Sequence, residues 1–271
     1  MDAVEALAAK DAADWPAWGH RKNAALMRAD GQQVSTSTVR RALLRRGLLL
    51  SSGFRADRKA WSMVRRRVFH DPPMVRNRLW QMDFPPQAGG TPTSFETPTG
   101  GIWRLCAVVD YATKFCLAVT VTTTSRGGDA VACVRAAVDA AQRQLNLEDL
   151  RADRGSVEVL DEATGELLDQ PAPIALVTDN GPCFRGDTFA QLFTGPDPLL
   201  RHVRTRVRSP QTNGVVERFF GTLKYEHLYR AIIDDGDALA VEVNLFRHTY
   251  NTRRPHQVLG DRTPRDAYRI P

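Results

Sequence analysis

Apolar positions change their period twice along the chain. Over residues 12–50 they fall at helical spacing. Trp15, Trp18 and Leu26 are the candidate core positions of a first helix over about 12–29. Asp30-Gly31 ends it, because glycine accepts the left-handed backbone past a helix terminus. Ser35-Thr36-Ser37-Thr38 then offers several N-caps for a second helix over about 36–46, closed by Gly47. Val39 and Leu43, four apart, face inward and leave Arg40, Arg41, Arg45 and Arg46 mainly on the exposed side. Residues 51–78 lose the period. Pro72-Pro73 cannot continue a helix, so a basic linker ending near Asn77 is expected there.

From Leu79 onward the period shortens. Trp80 to Phe84 reads as a short strand, and residues 85–100, rich in Pro, Gly and Thr, as a loop. The apolar runs 103–109 and 115–121 flank Asp110 to Lys114, which predicts a hairpin of two buried strands with Asp110 at its turn. Val131, Val134, Val138 and Leu145 mark a helix over 129–145. Residues 146–172 are charged and weakly patterned, the mark of a surface insertion. A strand at 174–178 enters Asp179, and a short helix is expected at 184–193. Over 199–208, Arg204, Arg206 and Arg208 alternate with Val203, Thr205 and Val207, as in a strand with one wet, basic face. Helices are expected at 212–229 and 237–250. Strands and helices in this order predict a mixed α/β sheet with helices packed on it.

Charge sharpens the division. Residues 21–67 hold 13 Lys or Arg against Asp30 and Asp57, a net +11 in a chain whose total is +6, so the remainder is net −5. A basic block joined to a mildly acidic remainder suggests a DNA-contacting module; a solvated basic linker fits the same count. An arginine-faced, capped helix is what a helix-turn-helix reader inserts into the major groove. An ordinary helical hairpin with a charged surface fits that spacing equally. The four cysteines form no Cys-x-x-Cys pair and no His stands at zinc spacing from them, so they read as reduced, buried residues. No run of about 18 apolar residues occurs and the N-terminus lacks an apolar signal core. No membrane contact is therefore expected, and a cytoplasmic location is.

Three acids stand where chemistry could use them. Asp83 and Asp179 follow strand-like runs, and ligand sites in open α/β sheets gather at strand ends. Glu217 lies at the border of a helix face packed down by Val216, Phe219, Phe220 and Leu223, with Gly221 leaving space one turn on and Lys224 two turns on. Phosphodiester cleavage needs an activated nucleophile and a stabilised leaving oxygen, which two hard cations roughly 3.5–4 Å apart supply together. Three carboxylates on separate elements suit such ions. Taken singly, a strand-end Asp is commonly a turn former and a helix Glu a solvated side chain.

Longer motifs add weight. Val177-Thr178-Asp179-Asn180-Gly181-Pro182, then Ser209-Pro210-Gln211-Thr212-Asn213-Gly214-Val215-Val216-Glu217-Arg218-Phe219-Phe220-Gly221-Thr222-Leu223-Lys224, resemble the core of bacterial insertion-sequence transposases related to retroviral integrase. Tyr250-Asn251-Thr252-Arg253-Arg254-Pro255-His256, Leu259-Gly260 and Thr263-Pro264 are similar to their C-terminal signature, and Trp80-Gln81-Met82-Asp83 to their first acidic strand. The resemblance covers about residues 78–268. It implies an RNase H-like five-stranded mixed sheet flanked by helices, with Asp83, Asp179 and Glu217 as the catalytic triad. Those three would hold two Mg2+ ions, with Mn2+ as a substitute. It also implies metal-dependent cleavage of transposon ends and strand transfer into target DNA, by a homo-oligomer on DNA in the bacterial cytoplasm and nucleoid. The expected organisation is a helix-turn-helix domain at 1–50, the linker at 51–78, and a catalytic core with a helical tail at 79–271. Arg40, Arg41, Arg45, Arg204, Arg206, Arg208 and Lys224 are the candidate DNA contacts. Glu217 lies 38 positions after Asp179, close to the family's habit, but Asp179 lies 96 after Asp83, a longer gap that loop 85–100 and insertion 146–172 account for. A metal nuclease that cuts without joining, or a domesticated DNA-binding protein without catalysis, remain the alternatives.

Overall fold

Pro16 divides the N-terminal helical pattern. The computed structural model describes residues 2–49, 73–85, 93–99, 101–160, 166–205 and 213–270. Three helices, not two, occupy the first of these stretches: α1 (Asp2–Asp14), α2 (His20–Ala29) and α3 (Thr36–Arg45). The helix expected over 12–29 breaks at Trp15-Pro16, because proline lacks an N–H and disfavours helical backbone in the residue before it. Trp15 stacks on Trp18 across the break, with ring centroids 4.7 Å apart. Ser35 caps α3 by accepting from the Thr38 amide at 3.1 Å. Ala8, Ala12, Ala24, Met27, Val39, Ala42 and Leu43 form the small core these helices share.

The remainder is a mixed α/β unit. Its strands in chain order are β1 (Leu79–Asp83), β2 (Ser94–Glu96), β3 (Ile102–Asp110), β4 (Cys116–Thr122), β5 (Ser156–Leu160), β6 (Leu167–Pro171), β7 (Ile174–Thr178) and β8 (Leu200–Arg204). The main sheet runs β4-β3-β1-β7-β8, antiparallel about β3 and parallel from β1 to β8. Among the described residues it has six strands rather than the expected five. The sixth, β2, lies inside the expected loop and extends the β1 side of β3, with Phe95 opposite Trp103. The insertion also proves more ordered than its pattern suggested. It contains an antiparallel hairpin of β5 and β6, separate from the main sheet. Residues 51–72 of the expected linker, Arg206, Arg208 and Gln211 lie outside the described residues.

Helices α4 (Gly127–Leu145), α5 (Asp187–Ala190), α6 (Gly214–Glu226), α7 (Gly236–Thr252) and α8 (Pro264–Arg269) complete the fold. The expected helix at 184–193 shrinks to α5 between two 3-10 turns, and the one at 212–229 ends at Glu226 before a 3-10 turn at Leu228–Arg230. Strand alternation sorts the core onto two faces. Trp80, Met82, Cys106 and Val108 pack with Val134 and Ala137 of α4, whereas Leu105, Ala107 and Val109 pack with Val216, Phe219 and Leu223 of α6 and with Val243 of α7. Gln81 and Asp83 stand on the second face by the same alternation. Asp110 has the hairpin role its position suggested: its buried carboxylate accepts from the Asn77 amide at 2.9 Å, the Thr113 amide at 2.8 Å and the Thr113 hydroxyl at 2.6 Å.

Candidate active site

The parallel pair β1 and β7 aligns Leu79 with Ala175 and Gln81 with Val177. Continuing that offset by two residues sets Asp83 beside Asp179, at the carboxyl edge of the sheet. Glu217 stands in the first turn of α6, which packs over the same strands. Asp83 and Asp179 are half-buried and Glu217 is exposed. Burial pushes the Asp83 carboxyl up to about 7, and the charges of Asp179 and then Glu217 add to the rise. The three expected site acids are thus electrostatic neighbours.

Local hydrogen bonds fix the supports of this cluster. The Gly181 amide donates to Asp179 Oδ1 at 2.9 Å, and Asn180 Nδ2 donates to the Thr205 carbonyl at 2.7 Å. A Cβ at Gly181 would stand 3.0 Å from Asp179 Oδ1, so glycine admits the carboxylate there. Asn180-Gly181 therefore shapes the turn beside Asp179. The Thr178 hydroxyl donates to the Asp179 carbonyl at 2.8 Å and lies 2.9 Å from His202 Nε2. Open space surrounds Gly221, one turn beyond Glu217. Two residues without chemistry of their own were not singled out by sequence pattern as supports of the site. Gln81 Oε1 accepts from the amides of Val215 and Val216, and Asn213 Nδ2 donates to the Met82 carbonyl.

The donor set suits a hard divalent cation. Its oxygens are carboxylate, burial and their mutual repulsion outweigh the Phe84 backbone hydrogen bond at Asp83, and the thiol of Cys183 is pushed up to about 12 by burial and by the Asp179 charge, so it stays protonated. Among the described residues, however, no three His, Cys, Asp or Glu side chains stand close enough to hold one ion as arranged. A cation there requires a side-chain adjustment.

The expected DNA contacts are dispersed. Arg40 and Arg41 are exposed on α3. Arg45 and its neighbour Arg46 both reach Glu5 of α1, at 2.7 and 3.0 Å. Arg204 is exposed at the end of β8. Lys224 is buried, with Nζ donating to the Ser94 carbonyl at 2.6 Å, so it supports β2 instead of facing solvent. The C-terminal motif is mostly internal. Arg254 makes two bonds of 2.8 Å to Glu226 and donates to His256 Nε2 at 3.1 Å. His256 packs edge-on against Tyr250.

Parts of the chain are similar to known proteins. Residues 200–264, which contain β8, Glu217 and the C-terminal motif, match the integrase core domain family. The chain is 37% identical over 103 residues to the putative transposase InsD for insertion element IS2E of Escherichia coli (strain K12), a match covering 36% of this chain and 44% of that protein. Transposase InsD for insertion element IS2A/D/F/H/I/K of Escherichia coli gives the same identity over 32% of its length. The match therefore spans less than half of each of these curated relatives. Among solved structures, the simian T-cell lymphotropic virus intasome in complex with PP2A regulatory subunit B56 gamma aligns over 97% of this chain and 75% of its own, at 17% identity and a TM-score of 0.50. The HTLV-2 integrase catalytic core domain in complex with magnesium aligns over 73% of this chain and 99% of its own, at 17% identity and a TM-score of 0.47. Over 103 residues the chain is similar in sequence to insertion-element transposases, and its fold is similar to that of the intasome chain. Among the described residues no helix is long and apolar enough to cross a membrane.

Proposed function

We propose that this chain carries the catalytic core of a DNA transposase, a polynucleotidyl transferase that cuts transposon ends and joins them to target DNA, with Asp83, Asp179 and Glu217 as its metal-holding catalytic carboxylates. The observation that carries this reading is that the parallel register of β1 and β7 sets Asp83 beside Asp179 with Glu217 in the first turn of α6, where burial first, and then the charges of Asp179 and Glu217, raise the Asp83 carboxyl to about 7. Glu217 lies within the segment that matches the integrase core. Two Mg2+ ions, or Mn2+ in their place, would supply Lewis-acid stabilisation of the attacking and leaving oxygens of an in-line displacement. Asp83 and Asp179 would hold metal jointly, and Glu217 would complete the second site. Asp83, whose carboxyl is raised chiefly by burial, would have to be ionised to hold a cation. Asp179 is oriented through Oδ1 by the Gly181 amide, which leaves Oδ2 available.

Water would first cleave the strand at the element end, and the freed 3′-hydroxyl would then attack a target phosphodiester with no bond to the protein. The DNA would be reached by a helix-turn-helix unit within residues 1–50, through Arg40, Arg41 and Arg45 of α3, and by the basic strand edge carrying Arg204, Arg206 and Arg208. Residues 51–78 would link this reader to the core at 79–271. Two element ends need two active sites, so a homo-oligomer on DNA follows, in the bacterial cytoplasm at the nucleoid.

The test is an assay of the purified chain on a labelled element end with Mg2+. Cleaved and joined products are expected, both reduced at least about 1,000-fold in Glu217→Gln, the loss of about 4 kcal/mol of transition-state stabilisation. Wild-type product yields in Glu217→Gln overturn the assignment. Cleavage without joined product selects the metal nuclease instead.

A further inference from the structure

Gln81 is a fully buried amide on β1, between the apolar neighbours Trp80 and Met82. Its Oε1 accepts from the Val215 amide at 2.8 Å and from the Val216 amide at 3.3 Å, the amides that open α6 immediately before Glu217. The N-cap residue of that helix, Asn213, makes no capping bond of its own. Its Nδ2 instead donates to the Met82 carbonyl at 2.9 Å, the peptide link to Asp83. The usual arrangement, in which a helix caps itself, is exchanged for a reciprocal one. A strand side chain caps the helix, and the helix's cap residue binds the strand.

This exchange has a geometric consequence. A self-capped α6 could turn about its axis on its apolar face, and one residue of rotation is about 100°, enough to swing Glu217 off the sheet edge. Fastening the first-turn amides to Gln81, two residues before Asp83 and on the same strand face, couples the rotation of α6 to the position of Asp83. A buried amide must also be hydrogen-bonded to be tolerated, so the register that satisfies Gln81 excludes its neighbours.

We propose that Gln81 and Asn213 are positioning residues that set the separation of Asp83 and Glu217, and thereby the affinity of the site for divalent cations. This rests on the reading of those acids as metal-holding. The test compares Gln81→Met, which keeps the length of the side chain but loses the acceptor, with Gln81→Glu, which keeps an acceptor, and with Glu217→Gln. Mg2+ affinity is measured by calorimetric titration of the full chain, and amide exchange at Val215 and Val216 by NMR. Gln81→Met is expected to stay folded, to lose about tenfold in exchange protection at both amides and to bind Mg2+ about tenfold more weakly. Gln81→Glu is expected to restore the protection. If Gln81→Met does not fold, Asn213→Ala carries the same titration and the same expectation. Unchanged Mg2+ affinity in Gln81→Met beside a weakened Glu217→Gln overturns the positioning role alone. Unchanged affinity in both overturns the metal reading and the positioning role with it.

Discussion

At Asp83 a half-buried carboxyl faces the charges of two others, and its folded pKa of about 7 lies far above the ordinary carboxylate value. The sign of the linkage follows. A group whose pKa is raised on folding favours the folded state fully below its unfolded pKa, near 4, and that contribution is lost as pH rises through about 7. In the absence of metal the wild type should therefore lose stability between about pH 4 and 7 relative to Asp83→Asn. At pH 8 the variant should melt about 3 °C higher, on the order of 1 kcal/mol after allowing for solvent screening. Melting curves with chelator across that range measure it, and parallel curves for the two proteins would refute the strained carboxyl. Added Mg2+ should raise the wild-type midpoint and leave Asp83→Asn nearly unmoved. The sequence singles out these acids as candidates because each sits at the end of an apolar run or inside a long motif, and the fold sets Asp83 beside Asp179. Gln81 was not. A polar residue inside an apolar strand reads as an interruption, and its partners lie 134 and 135 positions away, beyond any local pattern.

Among the elements, α7 shows how a motif can be visible while its purpose is hidden. Asn251 lies in the C-terminal signature, whose residues the sequence marks by resemblance alone. Its side chain instead pairs with the backbone of Cys116, Oδ1 accepting from the amide and Nδ2 donating to the carbonyl, both at 2.9 Å. The need arises from the register shift between Val108 and Val109, which disturbs the β3–β4 ladder near Cys116. A buried peptide group left without partners there would be costly. Asn251→Ala should therefore destabilise the fold by about 2–4 kcal/mol, since two buried backbone groups lose their partners. Urea denaturation measures it, and a loss under about 0.5 kcal/mol would show that the amide is dispensable. The periodic elements β1, β3, β4, β7, α4, α6 and α7 followed from the sequence within a few residues. What escaped was short or irregular. β2 has three residues, too few to alternate, and is specified by pairing with β3. The β5–β6 hairpin is exposed along much of its length, so burial imprints little pattern on it.

Across the whole molecule, the N-terminal helices and the core meet at one half-buried carboxylate. Glu226, at the end of α6, accepts from Trp18 Nε1 at 3.0 Å, Lys22 Nζ at 2.6 Å and the forked guanidinium of Arg254. Weaker pairs, Arg28 with Asp261 at 3.3 Å and Arg253 with Asp30 at 3.4 Å, lie exposed at the rim and contribute little. The basic block and acidic remainder seen in the sequence are thus partly matched to each other within one chain, which charge counting cannot distinguish from a surface kept for DNA. Burial raises the Glu226 carboxyl, but the Arg254 bonds and the charges of Arg254 and Lys22 outweigh it and hold it at about 2. Burial, then Arg254, holds His256 down to about 2 as well. Both groups are lowered on folding, so their contributions are whole at neutral pH and fade with acid: His256 below about 6.5, and Glu226 below about 4.5. Glu226→Gln leaves Arg254 and Lys22 without their counter-charge and should cost about 3 kcal/mol at pH 7. That difference from the wild type should shrink as pH falls from about 4.5 towards 2, where the wild-type carboxyl itself takes up a proton. Limited proteolysis at neutral pH should also release the N-terminal helices from the variant before the core is cut. A stability gap that stays constant down to pH 2.5, with the helices still protected, would mean that packing around Trp18, and not the ion cluster, joins the two parts.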